Sequence, residues 1–316
     1  MRNTAANKSA INNIAPSVWV IIVNWNNLSD LQECLSSLEK VDYSNFFVLV
    51  VDNGSTDGSA RYLHEQTGID CLFLSTNEGF VGGNNQGIEY AVKQDADFVL
   101  LLNNDTIVDP SFISQLINEV QHNPEVGIAG PLICYASDST VVWSAGGRID
   151  KIRGETSMVG IGEDRKNYDL KQPYQVDFVT GCAMLVRRQV IEDIGLLDTR
   201  FFAYYEETEY CYRASKKGWK CLIVPSALIW HKISPEVRAS SESVHYYMTR
   251  NRLLFIRSAK LGFSAYLNAL MEDLRTYLSW SLKSKWRSQK RLRKAHIQAV
   301  LDNFLNRWGK KSFQTK

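Results

Sequence analysis

The chain has little of what several function classes require. No apolar run reaches the ~18 residues that a membrane span needs, because even Leu261 to Leu282 is broken by Glu272, Asp273 and Arg275. Its 6 cysteines stand far apart, at 34, 71, 134, 182, 211 and 221, with no CxxC pair. That spacing favours neither a zinc site nor a disulfide framework and leaves buried free thiols in a reducing cytoplasm as the expectation. A formal net charge of +2 over 316 residues argues against a polyanion read by global charge, and nothing marks a nucleic-acid binder. A GxxxxGK[ST] phosphate loop is absent, which argues against a P-loop nucleotide hydrolase. No basic start followed by an apolar core opens the sequence, so residues 1–15 read as a loose polar extension.

What is present is a hydrophobic content of 45%, enough for a large core. From Val18 to Gly130 short apolar segments alternate with helical ones, the pattern of repeated β-α units and a largely parallel sheet. Strands are expected at Val18 to Val23, Phe46 to Val51, Cys71 to Leu74 and Phe98 to Leu102. Ser29 to Gln32 fits a capping box, and Asp109-Pro110 a cap with an N1 proline. Asn24, Asp52, Asn77 and Asp105 then fall beyond the carboxyl ends of successive strands, where open α/β sheets bind ligands. Ile133 to Gln175 reads as hairpins or loop. One strand at Val176 to Val186, interrupted by Gly181, follows; then come a helix stopped by Gly195, a helix from Glu207 to Lys217, and a strand from Cys221 to Val224. Helix-forming, basic sequence begins near Ser240.

Four features carry chemistry. Leu100 to Leu102 ends abruptly in Asn103-Asn104-Asp105, oxygen donors of the kind Mg²⁺ or Mn²⁺ takes while bridging to substrate phosphates, although the same residues make ordinary capped turns. Glu206, Glu207 and Glu209 follow an aromatic run; acidic first turns stabilise helices, yet a carboxylate beside aromatic groups can also serve as a general base. His231 closes an apolar run, and sharing an ion with Asp105 would favour Mn²⁺ somewhat. The segments Asp52 to Ser59 and Asn77 to Asn85 are rich in glycine and asparagine, which suits close backbone approach to a diphosphate and pairing with a base or ribose edge.

In this order and spacing, Val23-Asn24-Trp25-Asn26, Asp52 to Ser59, Asn77 to Asn85, Leu102 to Asp105, Thr180 to Met184 and Phe201 to Arg213 ahead of His231 resemble glycosyltransferase family 2, rhamnosyltransferase-like branch, over Val18 to Ser234. The resemblance implies a GT-A fold, a Rossmann-like and mainly parallel sheet flanked by helices. It implies a nucleotide-binding half at 16–130, an acceptor-binding half at 131–240, and a helical, basic C-terminal extension at 241–316. By position, Asp52 would contact the nucleobase, with Val23, Asn24 and Asn26 lining its pocket. Asn77, Gly79, Gly82 and Asn84 would border the nucleotide and sugar. Asn103, Asn104 and Asp105 stand where the family has its DXD motif, Asp105 and His231 being the metal ligands. Glu207 would be the catalytic base with Glu206 beside it. Two departures stand out: Asn103 replaces an aspartate, and Glu207 a commoner Asp.

The implied reaction is inverting transfer from a dTDP- or UDP-sugar, rhamnose foremost, to a saccharide or lipid-linked saccharide acceptor in the cytoplasm, aided by Mn²⁺ or Mg²⁺. A catalytically silent sugar-nucleotide-binding scaffold subunit is the alternative. In the C-terminal segment, apolar positions 263, 266, 267, 270, 274, 277 and 278 form one stripe expected to pack against the catalytic domain. Lys283 to Lys294 carries seven basic residues and no acid, which fits a solvated helix face or contact with an anionic membrane surface.

Overall fold

Strands β1 (Val18–Asn24), β2 (Phe46–Asp52) and β4 (Phe98–Asn103) are nearly continuous in apolar residues, so both of their faces need cover. The structure, a computed structural model, describes residues 15–169, 171–234, 239–283 and 288–313. In it β1 lies between β2 and β4, parallel to both, and β3 (Asp70–Phe73) extends the block beyond β2. Alternate residues serve opposite faces. Trp19, Ile21, Leu49, Val51, Val99 and Leu101 pack against α3 (Gly79–Lys93). Val18, Val20, Ile22, Val50, Leu100 and Leu102 pack against α1 (Leu28–Leu38) and α4 (Phe112–His122). Each fully enclosed Leu, Ile or Val contributes about 1.5–3 kcal/mol. Gly87 lets α3 approach β1, since a Cβ there would stand 2.4 Å from the Ile21 side chain.

The chain runs outward from β1 through α1, β2 and α2 (Ser59–His64) to β3, then returns across β1 by α3 to β4. This reversal makes a topological switch point between the ends of β1 and β4, the place where such sheets open a crevice. Beyond β4 come β11 (Ala183–Arg187), antiparallel to both its neighbours, then β6 (Val126–Tyr135), β12 (Lys220–His231) and β10 (Tyr174–Val176). Strands β5 (Thr106–Val108) and β7 (Val142–Ser144) attach to β12 and β6, and β8 (Gly147–Asp150) with β9 (Glu155–Met158) forms a separate hairpin. Helices α5 (Arg188–Ile194) and α6 (Glu206–Ser215) precede β12. Helices α7 (Glu242–Ser258), α8 (Phe263–Leu282) and α9 (Lys290–Phe304) follow it. The extension is no loose appendage, because Leu254 and Phe255 of α7 lie in the same core as Ile21 and Leu101.

The mainly parallel sheet with flanking helices and a helical C-terminal part matches the expectation, and several local boundaries differ. Helix α1 starts at Leu28, so Ser29 does not cap it; the Leu28 N–H instead donates to Asp57 Oδ2 at 2.9 Å, a cap supplied by another loop. Helix α4 starts at Phe112, with Asp109 Oδ1 accepting from Ser111 N at 2.9 Å as a turn before the helix. The expected strand from Val176 to Val186 is two strands on different parts of the sheet. The strand expected to end at Val224 continues to His231, because a register shift between Val224 and Leu228 accommodates Pro225. The six cysteines are free, as expected, and burial pushes the Cys34 thiol up to about 12, which makes it a poor nucleophile.

The expected packing of the α8 stripe holds in part, for Tyr266 and Leu270, which pack beside Leu253 and Ile256 of α7. Phe263, Leu267, Leu274 and Leu278 are exposed, and the buried positions are Ala265, Ala269 and Asp273. Small side chains let α8 approach α7 closely, which turns the large ones outward.

Candidate active site

Asn24 and Asp52 are the last residues of β1 and β2, and both are buried. The Asn24 amide donates to Asp52 Oδ1 and to Ser55 Oγ, each at 3.3 Å. Its carbonyl oxygen accepts from Asn104 Nδ2 at 2.7 Å, a bond that spans the switch point and ties the β4 turn to β1. Asp52 Oδ2 accepts from Ser55 N at 3.0 Å, and Asn26, at φ 51°, accepts from Thr56 N at 2.6 Å. Asn24, Asn26, Asp52 and Asn104 therefore form one polar floor. Val23 sits beneath it, with its side chain against Gly83 of α3.

The segment from Gly79 to Asn85, whose glycines suit close backbone approach to a diphosphate, is the first two turns of α3. Its glycines have packing reasons: Gly79 lies at φ 79° with a Cβ position 2.5 Å from Phe202 O, and a Cβ on Gly82 would stand 2.5 Å from the Glu78 Cβ. The Gly79 N–H donates to Asn77 Oδ1 and the Val81 N–H to Phe202 O, so these two donors at the helix start are already engaged. Asn84 is buried and donates within its own helix to Phe80 O. Asn77 is joined to the floor by Asn53, which sequence reasoning did not single out. Asn53 accepts from Glu78 N at 2.8 Å and donates to Gly79 O at 2.9 Å and Asn77 Oδ1 at 3.3 Å.

The continuation of β12 past Pro225 brings His231 to Asp105. It pairs antiparallel with β5, His231 opposite Thr106, and Lys232 N donates to Asp105 O at 2.9 Å. Lys232 Nζ meets Asp30 Oδ1 at 2.9 Å and Glu33 Oε2 at 2.6 Å, which fastens the strand end to α1. His231 Nε2 stands 3.1 Å from Asp105 Oδ1, and the imidazole packs edge-on against Trp143 with ring centroids 4.5 Å apart. Burial pushes the Asp105 carboxyl up, but the hydrogen bond and charge of His231, with donation from its own N–H and from Asn103, outweigh it and hold Asp105 below the usual carboxylate range.

Asp105 and His231 fit a hard or borderline divalent cation. Two ligands bound side by side to an octahedral Mg²⁺ or Mn²⁺ at about 2.1 Å are roughly 3 Å apart, close to the 3.1 Å between this oxygen and nitrogen. Among the described residues no third His, Cys, Asp or Glu joins them. Such a pair leaves most coordination positions for water and phosphate oxygens, as Mg²⁺ and Mn²⁺ require at substrate sites.

Glu206 and Glu207 open α6 after a strained approach, with Phe202, Tyr204 and Tyr205 at φ 64°, 69° and 71°. Two adjacent residues of α7 hold that segment. The buried Asn251 amide donates to Phe201 O, Ala203 O and Tyr204 O at 2.8, 2.7 and 2.8 Å. Arg250 donates to Phe201 O at 3.1 Å and Gly309 O at 2.8 Å, while its Nε fixes Asn251 Oδ1 at 2.9 Å. Sequence reasoning missed both roles; the available signal was an Arg-Asn pair inside an aromatic helix. Glu209 is a structural residue paired with Arg213 at 3.0 Å. Glu206 is 5% exposed, and burial, reinforced by the charge of Glu207, pushes its carboxyl well above the ordinary range. A Cβ on Gly181 would lie 3.7 Å from the Glu207 Cβ, and the next residue's carbonyl, Cys182 O, accepts the Asn103 N–H at 2.9 Å. The Gly181-Cys182 turn thus stands between Glu207 and the Asn103-Asn104-Asp105 turn, at one edge of the sheet.

A polar floor at the strand ends of a mainly parallel sheet, one acid-imidazole pair and one carboxyl pair describe a group-transfer enzyme of the GT-A type. The sequence model of glycosyl transferase family 2 matches residues 19–195, more than half of the chain, and the protein belongs to that family. It is 24% identical over 297 residues to the dTDP-rhamnosyl transferase RfbF of Shigella flexneri, covering 90% of this chain and 95% of that one. It is 29% identical over 230 residues to the N-acetylglucosaminyl-diphospho-decaprenol L-rhamnosyltransferase of Mycobacterium tuberculosis, covering 67% and 75%. The fold resembles a mannosyltransferase from Pyrobaculum calidifontis solved with GDP-Man and Mn²⁺, with a TM-score of 0.59, 13% identity and 93% and 89% coverage. The chain is thus a family 2 glycosyltransferase similar to rhamnosyltransferases, and a silent scaffold is not favoured.

Proposed function

We propose that the protein transfers rhamnose from dTDP-rhamnose, or a hexose from a UDP-sugar, onto a hydroxyl of a growing surface glycan or lipid-linked saccharide, with inversion at the anomeric carbon. The reaction is placed in the cytoplasm at the inner face of the membrane. The relatives' rhamnosyl chemistry supports the donor, and the decaprenol-linked acceptor named for one of them supports the acceptor class.

The observation that carries the reading is Asp105 Oδ1 3.1 Å from His231 Nε2 at the sheet edge that also carries Glu207. Asp52, with Asn24 and Asn26, takes the nucleobase. Asn77, Gly79, Gly82 and Asn84 border the ribose and sugar, and Asn103 and Asn104 line the diphosphate. Asp105 and His231 hold Mn²⁺ or Mg²⁺. When bound, that cation neutralises charge growing on the leaving diphosphate. Glu207 accepts the proton of the acceptor hydroxyl as its oxygen bonds to the anomeric carbon and the bond to the diphosphate oxygen breaks. Glu206 stands beside it, its carboxyl pushed well above the ordinary range by burial and by the charge of Glu207.

The test is a thermal-shift screen of dTDP-, UDP- and GDP-sugars with Mn²⁺ or Mg²⁺, followed by NMR of the product formed from the stabilising donor. Inverted configuration and loss of turnover with EDTA are expected. A retained configuration, or turnover indifferent to EDTA, would refute the mechanism.

A further inference from the structure

Helices α8 and α9 lie side by side on α7. Ala265 and Ala269 of α8 cluster with Leu253 and Ile256 of α7, and Ala295 and Ala299 of α9 cluster with Tyr246 and Tyr247 of α7. Both packed rows therefore face α7, and both opposite rows face away from the protein. On α8 that outer row is Phe263, Leu267, Met271, Leu274, Leu278 and Leu282, with Phe263 78% and Leu282 79% exposed. On α9 it continues with Ile297, Leu301 and Phe304. Tyr266 and Phe304 touch edge-on at one end, while Arg293 Nη1 donates to Trp280 O at the other, so the two rows run alongside each other. An outward apolar surface of this extent marks an interaction face.

Charge selects the occupant. The acids of α8 and α9 are already paired: Glu272 and Asp273 with Arg252 at 2.9 and 2.7 Å, and Asp302 with Lys311 at 2.8 Å. Exposed bases border the apolar rows, Arg275 on α8 with Lys283 directly after it, and Lys290 and Lys294 on α9. A second copy laid on this face would bury these cations with no acid across from them, which is costly. An anionic lipid surface satisfies both parts, taking the apolar row into the acyl boundary and the bases against its headgroups. Among the described residues no helix is long and apolar enough to cross a membrane, so contact is in the plane of the interface.

We infer that the outer face of α8 and α9 docks the enzyme on an anionic membrane leaflet. The inference deepens, and rests on, the reading of the acceptor as membrane-borne. The test is flotation of the full chain with phosphatidylcholine vesicles, with and without phosphatidylglycerol, across a NaCl series, in the absence of donor and acceptor. Binding to the anionic vesicles alone, weakening with salt, is expected. Leu274→Glu with Leu278→Glu should weaken it at least about tenfold by removing apolar insertion, with the circular dichroism and the affinity for dTDP unchanged. Absence of binding, equal binding to neutral vesicles, or undiminished binding of the variant would overturn the inference. So would a wild-type dimer that the variant dissolves without any vesicle binding. None of these readouts depends on turnover, so the docking face and the transfer chemistry fail separately.

Discussion

Replacing Asn251 by Ala isolates the support of the carboxyl pair from the pair itself. Asn251 is fully buried, and its two amide N–H groups are shared among the carbonyls of Phe201, Ala203 and Tyr204 at 2.7–2.8 Å. At roughly 1 kcal/mol net per lost bond, the variant loses about 2–4 kcal/mol of stability. The segment it holds contains Phe202, Tyr204 and Tyr205 in the left-handed region, a conformation that costs about 1–2 kcal/mol per residue. Without the amide this strain relaxes, and Glu206 and Glu207, which follow directly, move with it. A displacement of about 1 Å at a reacting group lowers turnover roughly 100-fold. Steady-state assays well below the variant's unfolding temperature should therefore show a large loss in kcat with a nearly unchanged donor KM, since Asn24 and Asp52 keep their contacts. A folded Asn251→Ala enzyme with kcat within twofold of wild type would refute the positioning argument.

Glu206 gives a pH dependence. Its carboxyl lies well above the unfolded value of 4.5, so the folded state binds the extra proton and stability falls as pH rises from that value through the folded one. Glu206→Gln removes this loss; urea unfolding at pH 5 and pH 8 should show the variant gaining on wild type with pH, by at most about 1.4 kcal/mol per unit, and parallel pH profiles would contradict the assignment. Gly79→Ala places a Cβ 2.5 Å from Phe202 O at φ 79° and should cost about 2–4 kcal/mol by thermal unfolding; an unchanged melting temperature would show that the contact is not tight.

Much of the sheet was legible because β1, β2 and β4 are buried on both faces and read as unbroken apolar runs ending in Asn24, Asp52 and Asn103. The placement of Asp105 and His231 was legible only as a resemblance. The strand that joins them crosses Pro225, a residue that argues locally against a strand, and only the register shift makes it fit. The glycines from Gly79 to Gly87 look like a phosphate loop in one dimension, but their purpose as close contacts with Phe202, Val23 and Ile21 needs the packed helix to be seen. Periodicity identified the stripe of α8 and could not say which side it faced, since alanines at 265 and 269 compete with larger residues for the packed side. The hold of Asn251 on the Phe201–Tyr204 backbone joins residues some 50 positions apart and left no local pattern beyond Arg250-Asn251.

The most direct measurement of the central claim compares Glu207→Gln with Asp105→Ala in two assays, sugar transfer and Mn²⁺-dependent binding of dTDP. Glu207→Gln should lose about 10²–10⁴ in transfer rate while binding dTDP and Mn²⁺ as wild type does, and Asp105→Ala should lose both. Near-normal transfer by Glu207→Gln, or metal-dependent nucleotide binding undisturbed in Asp105→Ala, would contradict the account.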